Sequence, residues 1–129
     1  MKIHHIGIYV IDLEGAKTFF TKYFNFTAGD KYHNPRTGFS SYMLNADGDG
    51  SRLELMTRGE VHPAETEVLH VGPHHINLCI GTEKDVDLMS RRLASDGYEI
   101  LDGPRRTGDG YYECCVRAVE GLLVEISAE

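Results

Sequence analysis

Cysteine is scarce in this sequence of 129 residues: Cys79, Cys114 and Cys115 are its three, two of them adjacent and none in a Cys-x-x-Cys spacing. An odd number cannot pair off completely, so a disulfide framework and a zinc or redox dithiol are excluded and reduced thiols are expected. Positive charge is also in short supply. Thirteen Lys and Arg stand against 20 Asp and Glu, a formal net charge of −7, which repels a phosphate backbone and removes the usual footprint of a nucleic-acid binder. No apolar run of about 18 residues exists to cross a membrane. The segment Met1 to Ile6 lacks the apolar stretch of a secretory signal, so a cytoplasmic chain is expected. What is present is ordinary, with 41% hydrophobic and 26% charged residues. A chain of this size buries roughly two thirds of its unfolded surface and folds without staples. A single domain over 1–129 acting on a small molecule is the expectation.

The chain repeats itself once. His4-His5-Ile6 recurs as His74-His75-Ile76, Arg36-Thr37-Gly38 as Arg106-Thr107-Gly108 and Tyr42 as Tyr112, all at an offset of 70 residues. With the offset at 71, Gly50 to Leu55 aligns with Gly121 to Ile126. Two modules follow, module 1 over 1–57 and module 2 over 74–129. The intervening 58–73 carries Gly59, Pro63, Gly72 and Pro73 without a clear period and reads as a linker.

Each module has the same order of elements. Ile6, Ile8 and Val10 alternate with His5, Gly7 and Tyr9, and Ile76, Leu78 and Ile80 alternate with His75, Asn77 and Cys79, the pattern of half-buried strands. A helix follows each strand: Leu13 to Phe24 capped by Asp12, and a second one opened by the Thr82–Asp85 capping box and stopped at Gly97. Three strands complete each module, at Ala28–Tyr32, Ser40–Asn45 and Arg52–Met56, then at Glu99–Leu101, Tyr111–Val116 and Leu123–Ser127. The order is βαβββ twice, an α+β fold. Gly48-Asp49-Gly50 and Gly108-Asp109-Gly110 read as hairpin turns, since neither opens a helix as a phosphate loop would. Phe19, Phe20, Tyr23, Phe24 and Phe26 read as core or subunit contact.

Alternation also decides which side chains share a face. With the apolar residues of the first and last strands packed beneath the helices, His5 and Glu54 point to the other face, as do His75 and Glu125. Two imidazoles and two carboxylates form a ligand set for a divalent transition ion, with positions left for water or substrate. The bland alternative pairs each Glu with Arg52 or Arg117. His4, His33, His62, His70 and His74 read as structural histidines, and Cys114 and Cys115 as packing groups on opposite faces. Tyr9, Asn77 and Tyr112 are assigned to the ligand face and to substrate.

The paired βαβββ modules and the His5, Glu54, His75, Glu125 pattern resemble the vicinal oxygen chelate superfamily, in particular its glyoxalase I (lactoylglutathione lyase) branch. The likeness covers nearly the whole chain and includes the Gly-Asp-Gly-Tyr-Tyr-Glu stretch at Gly108 to Glu113. It implies a cup-shaped, eight-stranded mixed sheet around one divalent ion (nickel, cobalt, zinc, manganese or iron(II)), commonly within a homodimer. It also implies a lyase or isomerase that shifts a proton between adjacent carbons through an enediolate, with Glu54 or Glu125 as the base. Glutathione-dependent members usually carry an arginine four residues after the first ligand and an asparagine four after the second. Tyr9 and Arg58 stand there instead, and Ala118-Val119 replaces the usual Asp-Pro before the last turn. The substrate is therefore expected to be a 2-oxoaldehyde thiol adduct or a related α-hydroxycarbonyl, with Arg58 as a relocated positive charge. Two rival readings remain: an acyl-CoA epimerase-like enzyme and a metal-free, drug-binding module of the bleomycin-resistance type.

Overall fold

A computed structural model of the chain describes residues 1–48, 50–63 and 71–129. The turn residue Asp49, the central part of the linker and His70 lie outside the described residues. The chain forms two compact units, Met1–Ala64 and Glu65–Glu129.

In the first unit, β1 (Ile6–Tyr9) leads into α1 (Leu13–Phe24), followed by β2 (Thr27–Ala28), β3 (Tyr32–Asn34), β4 (Phe39–Asn45) and β5 (Arg52–Thr57). The Asp12 carboxylate caps α1 by accepting from the Gly15 N–H at 2.9 Å, and Asn25 ends the helix in the left-handed region at φ 54°. The sheet runs β1-β5-β4-β2, with β3 also paired to β4. The first strand lies parallel to the last and the other pairs are antiparallel. The helix packs over β4 and β5, burying Leu13, Ala16, Phe19, Phe20 and Tyr23 against Leu44, Leu53 and Leu55.

The second unit repeats the plan with β6 (Ile76–Gly81), α2 (Glu83–Ser95), β7 (Glu99–Arg106), β8 (Tyr112–Arg117), a 3₁₀ turn (Val119–Gly121) and β9 (Leu123–Ala128). The capping box is formed: Asp85 N–H donates to the Thr82 hydroxyl while the Thr82 N–H donates to the Asp85 carboxylate. Gly97 follows the helix at φ 94°, a conformation natural to glycine. The sheet order is β6-β9-β8-β7, again with first and last strands parallel. Val86 and Leu93 of α2 are buried, as are Cys114, Val116, Val124 and Ile126.

The fold is thus α+β with mixed sheets of five and four strands, nine among the described residues in place of the eight expected. The extra one arises where Gly29 and Asp30 split the predicted Ala28–Tyr32 strand into β2 and β3. The predicted Glu99–Leu101 strand instead continues to Arg106. Irregularities between Ile100 and Arg105 let Gly103 approach β8 so closely that an added Cβ would stand 2.4 Å from the Glu113 carbonyl oxygen. Ile6, expected beneath the helix, is 46% exposed. It lies on an edge strand that α1 does not cover, and Val10 is the deeply buried residue there. Among the described residues, no helix is long and apolar enough to cross a membrane.

Candidate metal centre and its flanking hollows

The parallel pairing of first and last strands positions both donor pairs. In the first unit Gly7 stands opposite Glu54, so His5, two residues earlier, shares the face of that carboxylate. His5 Nε2 lies 3.5 Å from Glu54 Oε2. In the second unit Asn77 stands opposite Glu125, and His75 Nε2 lies 3.7 Å from Glu125 Oε1. Donors about 2.0 to 2.2 Å from a tetrahedral ion stand roughly 3.4 Å apart. Each pair is therefore spaced as two ligands of one ion, and imidazole with carboxylate is a donor set suited to first-row divalent metals. Among the described residues, no three His, Cys, Asp or Glu side chains gather as a metal cluster, so each unit offers a pair.

The preceding histidines, read from the sequence as structural, turn the ligand rings. His4 Nδ1 lies 2.8 Å from His5 Nδ1, and His74 Nδ1 lies 3.0 Å from His75 Nδ1. Both pairs meet edge to face. One ring nitrogen of His5 and of His75 is thereby engaged, and Nε2 is the nitrogen facing the carboxylate. The alternative of arginine-paired glutamates does not hold in the structure. Arg52 donates to His4 Nε2 at 3.1 Å and Arg117 pairs with Glu99 at 2.9 Å.

Each unit also carries a surface hollow, and that of the second unit is lined by one of the donors, Glu125. Tyr9 and Arg58 share one of about 400 Å³ with Glu60 and Val61, and Arg58 forms an ion pair with Glu60. The second unit has a hollow of about 480 Å³ lined by Asn77, Asp109, Tyr111, Glu113, Glu125 and Ser127. Both volumes fall in the range of small-molecule sites. Asn77 Nδ2 donates to Glu125 Oε1 at 2.6 Å, and its Oδ1 accepts from the Ser127 hydroxyl at 2.8 Å.

Tyr112 requires a correction. It lies on the helix side of β8, with its hydroxyl donating to Asp87 of α2 at 2.7 Å. The Asp87 carboxylate, with desolvation behind it, holds the phenol above its ordinary pKa. Register explains the error: Cys115 is opposite Glu125, so alternation puts Glu113 and Cys115 on the ligand side and Tyr112, Cys114 and Val116 beneath the helix. Tyr42 likewise faces its own helix and donates to Glu14 at 3.0 Å. Glu113 is the residue the sequence reading missed, although counting back two residues from the partner of Glu125 finds it. Desolvation first, then the neighbouring Glu125 charge, pushes its carboxyl above the usual range. Cys114 and Cys115 do face opposite sides, and burial lifts the Cys114 thiol to about 11.

The model of the Glyoxalase/Bleomycin resistance protein/Dioxygenase superfamily matches residues 2–126. The uncharacterized Bacillus subtilis protein YqjT is 25% identical, with 98% of each chain covered. The trypanothione-dependent glyoxalase I of Leishmania major shares the fold at a TM-score of 0.79 and 18% identity, covering all of this chain and 87% of that one. The fosfomycin resistance protein FosX of Listeria monocytogenes shares it at a TM-score of 0.74 and 18% identity, covering 99% of this chain and 91% of that one. Neighbours with different activities establish a common fold and leave the chemistry to be argued from the site. With the match running almost from end to end, this chain belongs to the Glyoxalase/Bleomycin resistance protein/Dioxygenase superfamily.

Proposed function

We propose that the protein is a cytoplasmic, metal-dependent lyase or isomerase of the glyoxalase I kind, acting on a 2-oxoaldehyde thiol adduct or a related α-hydroxycarbonyl. The observation that carries this reading is the pair of matched His–Glu contacts, 3.5 and 3.7 Å, each spaced for one ion. His5, Glu54, His75 and Glu125 would hold a single divalent ion, with the two units as halves of one domain and the working form a homodimer.

A bound ion supplies Lewis acidity to neighbouring substrate oxygens. The protein's own groups do the rest. A glutamate beside the reacting carbon takes its proton, the C–H electron pair moves toward the adjacent carbonyl, and the substrate becomes an enediolate. The same glutamate returns the proton to the neighbouring carbon while the hydroxyl proton of the first carbon passes to the oxygen of the second, so the carbonyl has moved, the product is an isomer and no electrons leave the substrate. Tyr9, Arg58 and Asn77 would orient the substrate from the two hollows.

The test is elemental analysis with equilibrium titration of nickel, cobalt, zinc, manganese and iron(II). One ion per ligand set is expected, weakened about tenfold or more by His5→Ala or by Glu125→Gln. Protein that takes none of these ions would be a binding module instead.

A further inference from the structure

A guanidinium donates hydrogen bonds and cannot accept them. Arg52 Nη1 donates to His4 Nε2 at 3.1 Å, so that nitrogen is a bare lone pair and the proton of the neutral His4 ring sits on Nδ1. His4 Nδ1 lies 2.8 Å from His5 Nδ1 and is the donor of that contact. His5 Nδ1 therefore accepts, and the proton of the neutral His5 ring sits on Nε2, facing Glu54 Oε2 at 3.5 Å. The donors run one way, from Arg52 through both rings to the carboxylate, and every link lies within the first unit.

The second unit keeps the rings and lacks the arginine. His74 Nδ1 meets His75 Nδ1 at 3.0 Å. Leu53 stands opposite Ile6 and Val124 opposite Ile76, so the residue corresponding to Arg52 is Leu123, whose side chain donates nothing. Glu125 receives its hydrogen bond from Asn77, at 2.6 Å. Either nitrogen of the His75 ring is free to carry the proton.

A histidine that ligates through one ring nitrogen ordinarily donates the other N–H to an outer partner. For ligation through Nε2 that is the Nδ1–H tautomer, and the contacts of His5 select the opposite one. We infer that Arg52 is a tautomer lock, holding His5 in the Nε2–H form through His4 and releasing His4 when His5 Nε2 takes an ion. The proton count on the two rings is unchanged by that event. The His5 proton moves from Nε2 to Nδ1 and the His4 proton from Nδ1 to Nε2, where it would face a guanidinium that can only donate. The bond given up is Arg52–His4. The lock is a property of the first unit by itself, while its consequence for the ion rests on the metal-dependent reading above. Arg52 acts through His4 and is a positioning residue.

The experiment is long-range ¹H–¹⁵N correlation NMR of the labelled, metal-free protein, at a pH about two units above the ordinary imidazole pKa of about 6.5, where protonated and bare ring nitrogens give separate signals. His4→Ala and His5→Ala identify the two rings. Wild type and Arg52→Lys, whose ammonium also donates without accepting, are expected to show His5 as Nε2–H and His4 as Nδ1–H. Arg52→Leu, which copies Leu123, should raise the Nδ1–H fraction of His5 about threefold or more. A cobalt(II) titration followed by visible absorption should then show Arg52→Leu binding about threefold or more tighter, with Arg52→Lys close to wild type. His5 found as Nδ1–H in wild type, or a tautomer ratio indifferent to Arg52→Leu, overturns the lock. Tighter cobalt binding without the tautomer shift would be the effect of lost charge alone and overturns it as well. Wild type and Arg52→Leu that both take no cobalt overturn the metal-dependent reading, and the ring spectra still decide the lock.

Discussion

The two modules share a ladder and differ in what they hang on it. Both pair their first and last strands in parallel, with Gly7 opposite Glu54 and Asn77 opposite Glu125. Both set a histidine ring against that glutamate and a second histidine behind the ring. Away from these positions the likeness ends. The core of the first unit is aromatic, built on Phe19, Phe20, Tyr23 and Phe26, whereas that of the second is aliphatic, with Val86, Leu93, Val116, Val124 and Ile126. The hollow beside Glu54's unit carries Arg58, while the one around Glu125 carries Asp109 and Glu113. A donor pair is fixed by backbone register, which tolerates almost any flanking side chain, so the flanks are free to specialise.

The largest expected effect tests whether unequal cores still make one cooperative domain. Phe20→Ala removes a fully buried ring and should cost about 3 to 5 kcal/mol. Leu93→Ala in the second unit should cost about 2 to 5 kcal/mol. Urea unfolding followed by circular dichroism should show both variants lowering a single transition. Two transitions, each responding to one variant, would mean that the units fold separately and would break the one-domain proposal.

Next comes the charge difference between the hollows. Arg58 shares its hollow with Glu60, which pairs with it, so an anionic arm of a thiol substrate must compete with Glu60 for the guanidinium there, whereas Asp109, Glu113 and Glu125 repel it in the other hollow. With Tyr9 in place of an arginine, the glutathione adduct of methylglyoxal should turn over with kcat/KM below about 10⁵ M⁻¹s⁻¹. On whichever adduct is used best, Arg58→Ala should lower that value roughly tenfold to hundredfold, the worth of one charge-assisted hydrogen bond. Steady-state kinetics on the metal-loaded enzyme checks this, and an efficient glutathione reaction indifferent to Arg58→Ala would locate the anion elsewhere.

A smaller effect separates the two faces of β8. Because Tyr112 donates to Asp87 on the helix side, Tyr112→Phe should lower the melting temperature slightly and leave cobalt affinity and turnover unchanged. Loss of turnover at unchanged stability would restore Tyr112 to the substrate face.

Much of this was legible in the residues, for identifiable reasons. Period-2 patterning around Ile8 and Leu78, the Asp12 cap and the Thr82–Asp85 box are local signals, and they place both helices and the strands that flank them. The offset of Glu54 from His5 repeats in Glu125 and His75 to within one residue, so the facing pairs could be read from the repeat. Tyr112 misled because alternation alone leaves the phase of β8 open, and pairing of Cys115 with Glu125 fixes it; its sequence match Tyr42 stands opposite Leu55, whereas Cys114 stands opposite the corresponding Ile126. That two-residue slip preserves the face, and the face is the helix side. Glu113 and the Asn77–Ser127 bridge depend on pairing between strands distant in sequence, where no local pattern reports the register. Strand β7 runs past Gly103-Pro104 through bulges of its own, spending two residues against one of β8 from Ile100 to Asp102 and three against two from Asp102 to Arg105.

The smallest effect expected is a difference in acid sensitivity. In the first unit Glu14 accepts from Lys17 at 2.7 Å, Tyr42 at 3.0 Å and Lys31 at 3.1 Å. These donors, Lys17 foremost, lower its pKa from the ordinary 4.5 to about 2. The repeat places Lys84 at the corresponding position of the second unit, where α2 meets its sheet instead through Asp87, which accepts from Tyr112, and Glu83, which pairs with Arg106. A carboxyl whose folded pKa lies below its unfolded value contributes stability that is present in full above the unfolded value and is lost as pH falls through the folded one. The contribution of Glu14 should therefore fade between about pH 4.5 and 2, and salt should weaken it because the side chain is half exposed. Urea midpoints measured across that window should fall more steeply for wild type than for Glu14→Gln, whose amide cannot titrate. Asp85 and Asp102 are also lowered, by Thr82 and by Arg105, and they give both proteins a common acid limb. Glu113, raised by desolvation, acts in the opposite sense by favouring the folded state as it takes up a proton. The difference between the two curves isolates Glu14, and parallel curves would mean that the lysines around it contribute nothing to folding.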